Sequence, residues 1–236
     1  MIKGIYTVAR GMDYSRKNIE AVANNIANMN STGYKKEGDF QQILNSVGKT
    51  EVRQIRDYSQ GNLVSTESPL DLAIKGNGFF EVNTPNGIEL TRNGKFQISD
   101  DGFLVDSEGN KVMGSQGEIN FSNSMLNENQ KITIDRSGEI KIGDQIVDVL
   151  KISAPANLQD LEKTGASNYT SQSGDYVPVS EDNFSVLSGY VEESNVNPVI
   201  EMEKMIQINK DYEASQKVVN AIDSSLDRLK EVGRVL

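Results

Sequence analysis

The strongest constraint on the fold is a heptad pattern at each end of the chain. In the last forty residues, Asn197 suits the N-cap of a helix and Pro198 its first position, and the only later glycine is Gly233. Apolar residues then recur at alternating steps of three and four. This predicts one helix with a coiled-coil seam, about 55–60 Å long. The C-terminal seam consists of Met205, Ile208, Tyr212, Ser215, Val219, Ile222, Leu226 and Leu229.

A second seam of the same period runs along residues 3–32. It consists of Ile5, Val8, Met12, Ser15, Ile19, Val22, Ile26 and Met29. Gly33 suits a left-handed cap, so the helix is predicted to end there. Because both seams share one period and one serine break, we expect them to pair with each other or with copies in neighbouring subunits. The alternative is two separate amphipathic helices packed on one globular core.

Asparagines are unusually frequent near the end of the first helix. Asn24 and Asn28 lie on one helical face at positions i and i+4. Asparagine is a poor helix former, so one interpretation is that these side chains hydrogen-bond across an interface. The other is a frayed, capped helix end.

Strand and turn signals occupy the middle of the chain. Residues 34–67 form a predicted connector, in which residues 51–56 alternate like an exposed strand. From Pro69 to Val191, short apolar runs are separated by glycine turns, and Asn86-Gly87 is a strong hairpin signal. We therefore predict an α+β fold: terminal helices over 1–33 and 197–236 that pair as a coiled coil, and an inserted, mostly antiparallel β domain over 68–196. Its predicted core is Leu72, Ile74, Phe79, Phe80, Val82, Phe96, Ile98, Leu104, Ile132, Ile134, Val149 and Ile152.

Composition argues against several classes of function. The chain has no cysteine and no histidine, which removes disulfides, the commonest zinc ligands and a Ser-His-Asp triad. Its net charge of −10 comes from 24 basic and 34 acidic residues, and the acidity is concentrated in the central part. This argues against nucleic acid or an anionic membrane as partner. No apolar run approaches the length of a membrane span.

Signals for chemistry are weak. Gly76-Asn77-Gly78 lacks the third glycine and following helix of a phosphate-binding loop, so a tight β-turn is the better interpretation. The carboxylates at Asp100, Asp101, Asp106 and Glu108 lack EF-hand spacing, and Asp-Gly turns explain most of them. We therefore expect no catalytic residues, no cofactor and no metal site.

The N-terminus shows no secretory leader. Residues 1–17 contain neither a continuous apolar segment nor an obvious cleavage site. This is typical of a cytoplasmic protein, and export by a route that leaves the N-terminus uncleaved is the other option.

Four ordered motifs resemble a known family, the rod and hook group of bacterial flagellar axial proteins. The motifs are Ala23–Lys35, Pro69–Phe80, Thr91–Phe96 and Gly189–Asn197. The resemblance implies terminal helices that form the inner coiled-coil layer of a tubular polymer, with the β domain outside. It also implies export through the flagellar type III apparatus without a cleaved signal, and a place in the basal body of the flagellum.

The resemblance is to a rod protein rather than a hook protein, because hook subunits usually carry a larger outer region. Residues 197–199 resemble the proximal-rod type and residues 207–212 the distal-rod type, so both types remain open. The implied partners are further copies, other rod and hook proteins and the export apparatus, with no nucleic acid and no membrane insertion. The rival hypothesis is a regulatory or adhesive β domain dimerised by a coiled coil.

The predicted assembly interface combines both seams with the two asparagines. Its members are Ile5, Val8, Met12, Ile19, Val22, Asn24, Ile26, Asn28, Met29, Met205, Ile208, Tyr212, Val219, Ile222, Leu226 and Leu229.

Overall fold

The chain divides into two compact units. A computed structural model describes residues 2–44, 50–121, 131–143, 145–165, 167–171 and 174–233. The helical unit comprises Met1–Met29, Glu37–Asp57 and Val196–Leu236, and the β unit comprises Asn30–Lys36 and Tyr58–Asn195. The predicted connector is thus divided between the units and contains three strands.

In its described residues, the helical unit contains two helices and a pair of antiparallel strands. Helix α1 spans Ile2–Ala27, strands β1 (Glu37–Leu44) and β2 (Thr50–Arg56) pair antiparallel, and helix α2 spans Pro198–Gly233. Helices α1 and α2 contact each other, and α1 also contacts β1. The two predicted terminal helices are therefore present in one unit.

The sequence predicted the start of α2 correctly but misplaced the end of α1. Asn197 caps α2 as predicted, because its Oδ1 accepts hydrogen bonds from the N–H groups of Val199 at 3.1 Å and Ile200 at 3.3 Å. Helix α1 ends at Ala27 rather than at residue 32, so the prediction for Gly33 was wrong. Gly33 has a φ of +70°, but it lies in the β unit, where its N–H donates to the Glu192 carbonyl at 2.7 Å.

The β unit is antiparallel in every pairing between its described strands. Its largest sheet has the order β15-β16-β6-β5-β9-β8-β7, with β10 beside β9 and β14 between β5 and β17. Strands β11, β12 and β13 form a second sheet, and β18 pairs with β4 and β19 with β3. The strand bounds are β3 Leu63–Ser65, β4 Leu72–Gly76, β5 Phe79–Thr84, β6 Gly87–Thr91, β7 Gln97–Ile98, β8 Leu104–Val105, β9 Lys111–Gly114, β10 Gly117–Glu118, β11 Ile132–Ile134, β12 Glu139–Ile142, β13 Gln145–Val149, β14 Ile152–Pro155, β15 Leu161–Lys163, β16 Asn168–Ser171, β17 Tyr176–Pro178, β18 Phe184–Ser188 and β19 Tyr190–Glu192.

The hairpin predicted from Asn86-Gly87 is present. It joins β5 to β6, with Thr84 opposite Gly87 in the register. Gly87 has a φ of +116°, a conformation that favours glycine, which explains why this dipeptide signalled the turn.

The described residues of the β unit form two apolar clusters. The larger one contains most of the predicted core, with Ile98, Ile132 and Ile134 partly buried at its margin. Phe79 instead belongs to a smaller cluster with Leu90, Leu161 and Tyr169, and Val149 belongs to neither of the two. Buried members of the larger cluster that the prediction omitted are Val112, Ile119, Phe121, Ile140, Ile142, Leu150 and Val186.

Candidate assembly interface and its buried polar clusters

The described heptad positions are half-buried or buried on both helices, and in α1 the off-seam residues Asn18, Ala21 and Asn25 are buried as well. Val22 is buried at 2% exposure, and the other described positions of the N-terminal seam are half-buried, including Met29, which lies just beyond the end of α1. In α2, the seam from Met205 to Ile222 is half-buried, whereas most residues between the seam positions are exposed. The side chains of Ile5, Leu226 and Leu229 lie outside the described part of the helices. This burial pattern suits helices that contact each other along one side.

Asn25 is the most buried asparagine of α1, and it connects three elements. Its Nδ2 donates to the Glu37 carbonyl at 2.7 Å, and its Oδ1 accepts from the Glu37 N–H at 2.8 Å. The same Nδ2 also donates to Oε2 of Glu201 at 3.0 Å. Asn25 and Glu201 are both fully buried, at 0% exposure. One side chain therefore holds α1 to the start of β1 and to the first turn of α2.

The two asparagines named from the sequence make other contacts. Asn24 is exposed, and its Nδ2 approaches Oε2 of Glu37 only at 3.5 Å. Asn28 donates from Nδ2 to the Asn24 carbonyl at 2.9 Å, which helps to end the helix. Asn25, one position along from Asn24, makes the buried hydrogen bonds to both β1 and α2.

The β unit contains a buried cluster of three charges. Nζ of Lys35 lies 2.5 Å from Oε1 of Glu192, and Nη1 of Arg92 lies 3.2 Å from Oε2. Lys35 and Arg92 are 1% and 6% exposed, and Glu192 is 0% exposed. Since these residues are far apart in sequence, the cluster joins the segment Asn30–Lys36 to strand β19.

Backbone groups complete this cluster. Nζ of Lys35 donates to the Ser59 carbonyl at 2.7 Å, and Arg92 donates to the carbonyls of Ile74 and Gly76. The Gly61 N–H donates to Oε1 of Glu192 at 3.0 Å. Burial lowers the pKa of Arg92, while the charge of Glu192 and its hydrogen bond act in the opposite direction. The network is therefore a structural one, in which the buried charges have partners.

A second apolar surface lies near the start of α2. Val199 is 72% exposed, Ile200 50%, Met202 49% and Ile206 57%. These side chains lie away from the seam, so the first turns of α2 present apolar groups outside the α1 contact.

One of the carboxylates considered as a calcium ligand from the sequence, Asp106, shapes a turn. The Asp106 carboxylate accepts hydrogen bonds from the N–H groups of Glu108 and Asn110 and from the Asn110 side chain, which shapes the turn before β9. No group of three or more potential metal ligands occurs in the part of the chain that the structure describes. The same part contains no helix that is long and apolar enough to cross a membrane.

Three family models match successive parts of the chain. The model described as "Flagella basal body rod protein" matches residues 5–35. The model for the flagellar hook protein FlgE/F/G D1 domain matches residues 73–142, and the model for the C-terminal part of the flagellar basal body rod FlgEFG proteins matches residues 187–232.

Full-length relatives agree with these matches. The flagellar basal-body rod protein FlgG of Buchnera aphidicola subsp. Schizaphis graminum is 32% identical, over 98% of the chain and 100% of that protein. The FlgG protein of Borreliella burgdorferi is 30% identical, over 96% of the chain and 97% of that protein. The flagellar basal-body rod protein FlgF of Caulobacter vibrioides is 29% identical, over 93% of the chain and 94% of that protein.

Proposed function

Because the chain belongs to the flagellar basal-body rod protein family, we propose that it is a structural subunit of the bacterial flagellar basal-body rod. The observation that carries this function is the relationship to FlgG along essentially the whole of both chains. The subunit's work is mechanical: it transmits torque from the motor to the hook through contacts with its neighbours.

The helices assemble the rod. The seams of α1 and α2 pair as a coiled coil within the subunit, and the remaining apolar faces contact neighbouring subunits. A head-to-tail contact that does not close into a ring generates a helical filament. Each seam side chain that becomes fully buried contributes roughly 1.5–3 kcal/mol, and the same contact repeats around the tube.

We infer different roles for three parts of the chain. Residues 1–33 and 197–236 form the inner layer, residues 34–67 connect the layers, and residues 68–196 form the outer layer. The exposed apolar residues at the start of α2, such as Val199 and Ile206, support a crowded inner layer, because large exposed apolar surfaces usually mark interaction sites.

The proposed partners follow from this place in the flagellum. They are further copies of the chain, other rod and hook proteins and the flagellar type III export apparatus. The subunit is exported without a cleaved signal peptide and is held in the basal body by protein contacts. Neither nucleic acid nor insertion into the membrane takes part.

A charge placed in the seam tests the assembly surface. Ile222 is half-buried in the α2 seam, so Ile222→Asp places a carboxylate where the neighbouring helix excludes water. We expect a strain whose only copy carries Ile222→Asp to export the subunit but to be non-motile. The matched control is Asn220→Asp, which adds the same charge at an exposed polar position of α2 and should preserve motility. Normal motility with Ile222→Asp would show that Ile222 is not part of the assembly interface.

The mass of the particles that the purified protein forms distinguishes a rod subunit from a dimeric regulatory or adhesive domain. A rod subunit should form rods or tubes whose length grows with protein concentration. A regulatory or adhesive domain dimerised by a coiled coil would give a particle of fixed mass, and such a particle would contradict the proposal.

A further inference from the structure

We propose that Asn25 and Glu201 set the register in which α1 and α2 pair, and that they act as positioning residues for the inner layer. This inference rests on the proposed pairing of the two seams. The seams alone do not determine which residue of one helix lies beside which residue of the other.

The Asn25–Glu201 contact first determines direction. Asn25 lies in the last turn of α1, whereas Glu201 lies in the first turn of α2, and their side chains are 3.0 Å apart. Because the two helices also contact each other, a bond between these opposite ends makes the pair antiparallel.

The same contact determines the register. In an antiparallel pair aligned on Asn25 and Glu201, each seam residue of α1 lies beside one seam residue of α2. The pairs are Val22 with Met205, Ile19 with Ile208, Ser15 with Tyr212, Met12 with Ser215, and Val8 with Val219. Each serine of the seams then lies beside a large side chain, so the two serine breaks become complementary in volume.

The apolar seams cannot select this register by themselves. A heptad pattern repeats every seven residues, so sliding one helix along the other by one heptad, about 10.5 Å, brings apolar residues beside apolar residues again. In one such slipped register Val8 lies beside Tyr212, and Glu201 lies beside Ile19. The seam residues from Val8 to Ser15 then still lie beside seam residues of α2, so the heptad spacing alone does not exclude this arrangement.

Glu201 and Asn25 make the slipped register costly. Glu201 continues the α2 seam, four positions before Met205, and it is fully buried. A slip would bury its carboxylate against apolar side chains and would remove the amide of Asn25, which itself stays bonded to the Glu37 backbone. A single buried polar residue at a seam position is a known way to specify the register of a coiled coil.

Pairs of engineered cysteines measure the register directly. The full-length chain has no cysteine, so each engineered pair supplies the only thiols. Val8→Cys with Val219→Cys reports the proposed register, and Val8→Cys with Tyr212→Cys reports the register slipped by one heptad. The slip of about 10.5 Å exceeds the separation of about 7 Å between Cα atoms that a disulfide can bridge, so mild oxidation distinguishes the two.

In the otherwise unchanged chain, we expect the Val8/Val219 pair to form a disulfide and the Val8/Tyr212 pair to remain at background. Glu201→Leu removes the buried carboxylate but keeps an apolar seam, so the helices should still pair. In that background the Val8/Tyr212 disulfide should rise about tenfold, the effect expected from losing one buried hydrogen bond to a charge. Glu203→Leu makes the same exchange at an exposed position and should leave both yields unchanged.

Asn25→Leu provides the second variant, and it should also increase the slipped disulfide. Unchanged yields in both Glu201→Leu and Asn25→Leu would overturn the register inference while leaving the seam pairing intact. Absence of the Val8/Val219 disulfide in the otherwise unchanged chain would instead contradict the pairing itself, and with it the inner layer of the proposed function.

Discussion

Removing the negative charge of Glu192 should destabilise the β unit, because this carboxylate lies between two buried cations. Glu192 contacts both Lys35 and Arg92, so these three side chains together carry two positive charges and one negative charge. Glu192→Gln keeps the size of the side chain but removes the negative charge. The net charge of the cluster then rises from +1 to +2 at residues that are at most 6% exposed.

The expected cost is large because two buried cations lose a carboxylate that contacts both of them. Breaking a buried ion pair by removing one member typically destabilises a protein by about 3–5 kcal/mol. Each kcal/mol lowers the melting temperature of a domain of this size by about 2–4 °C, so the fall should be on the order of 10 °C. The carbonyls of Ser59, Ile74 and Gly76 remain as acceptors and limit the loss to this range.

Thermal and urea unfolding of the full-length protein measure the effect, with a tyrosine signal in the near-ultraviolet to follow the β unit. Lys35→Met is the informative comparison, because it brings the net charge of the cluster to zero and leaves Glu192 paired with Arg92. We expect Lys35→Met to cost less than Glu192→Gln. Glu193→Gln changes the neighbouring exposed carboxylate and serves as the matched control, with an effect within about 0.5 kcal/mol. A cost below about 1 kcal/mol for Glu192→Gln, or an equal cost for Lys35→Met, would refute the reasoning from uncompensated buried charge.

Two further predictions concern backbone conformation and pH. Gly33→Ala should lower the free energy of unfolding by more than about 2 kcal/mol, because the residue has a φ of +70° and the added Cβ would meet the backbone of the β unit. Gly11→Ala in α1, where the added Cβ meets no atom within 4 Å, should instead stabilise the protein by about 0.5–1 kcal/mol; chemical unfolding of both variants checks the contrast. Hydrogen bonds donated by Lys111 and, to a smaller extent, by Asn83 lower the pKa of Glu118 from its usual 4.5. The ionised carboxylate therefore contributes stability above pH 4.5, and this contribution is lost as the pH falls through the lowered pKa. Glu118→Gln should therefore be less stable than the native chain at neutral pH, and the difference in melting temperature should shrink in acid; a constant difference would count against it.

The sequence was most informative where structure depends on local periodicity. The heptad pattern predicted both terminal helices, and Asn197 was predicted correctly as the N-cap of α2. Glycine turns such as Asn86-Gly87 predicted the antiparallel strands, because the conformation of a turn depends on its own residues. The end of α1 was misplaced since the left-handed conformation of Gly33 serves a contact with Glu192, not a helix cap.

The sequence was least informative about contacts between distant segments. Nothing local to Lys35 indicates that it meets Glu192 inside the β unit, so the charge cluster went unpredicted. Spacing at i and i+4 selected Asn24 and Asn28, whereas the tertiary position of β1 and α2 makes Asn25 the buried residue. One signal was available in the sequence: Glu201 continues the α2 heptad, and a charge at a seam position indicates a specific partner.

Tyr169 shows the same limit in the β unit. Residues 156–183 are polar and carry no clear strand pattern, yet Tyr169 is fully buried between Tyr58 and Phe79 in edge-on aromatic contacts. Its burial depends on strands β5 and β6, which are far away in sequence.

The central claim, that the chain is a structural subunit of the flagellar rod, is tested most directly by electron microscopy of basal bodies purified from a strain that lacks the chain. We expect these particles to have an absent or truncated rod and no attached hook, and we expect complete rods when the native chain is restored. Complete rods of normal length in the strain that lacks the chain would contradict the claim.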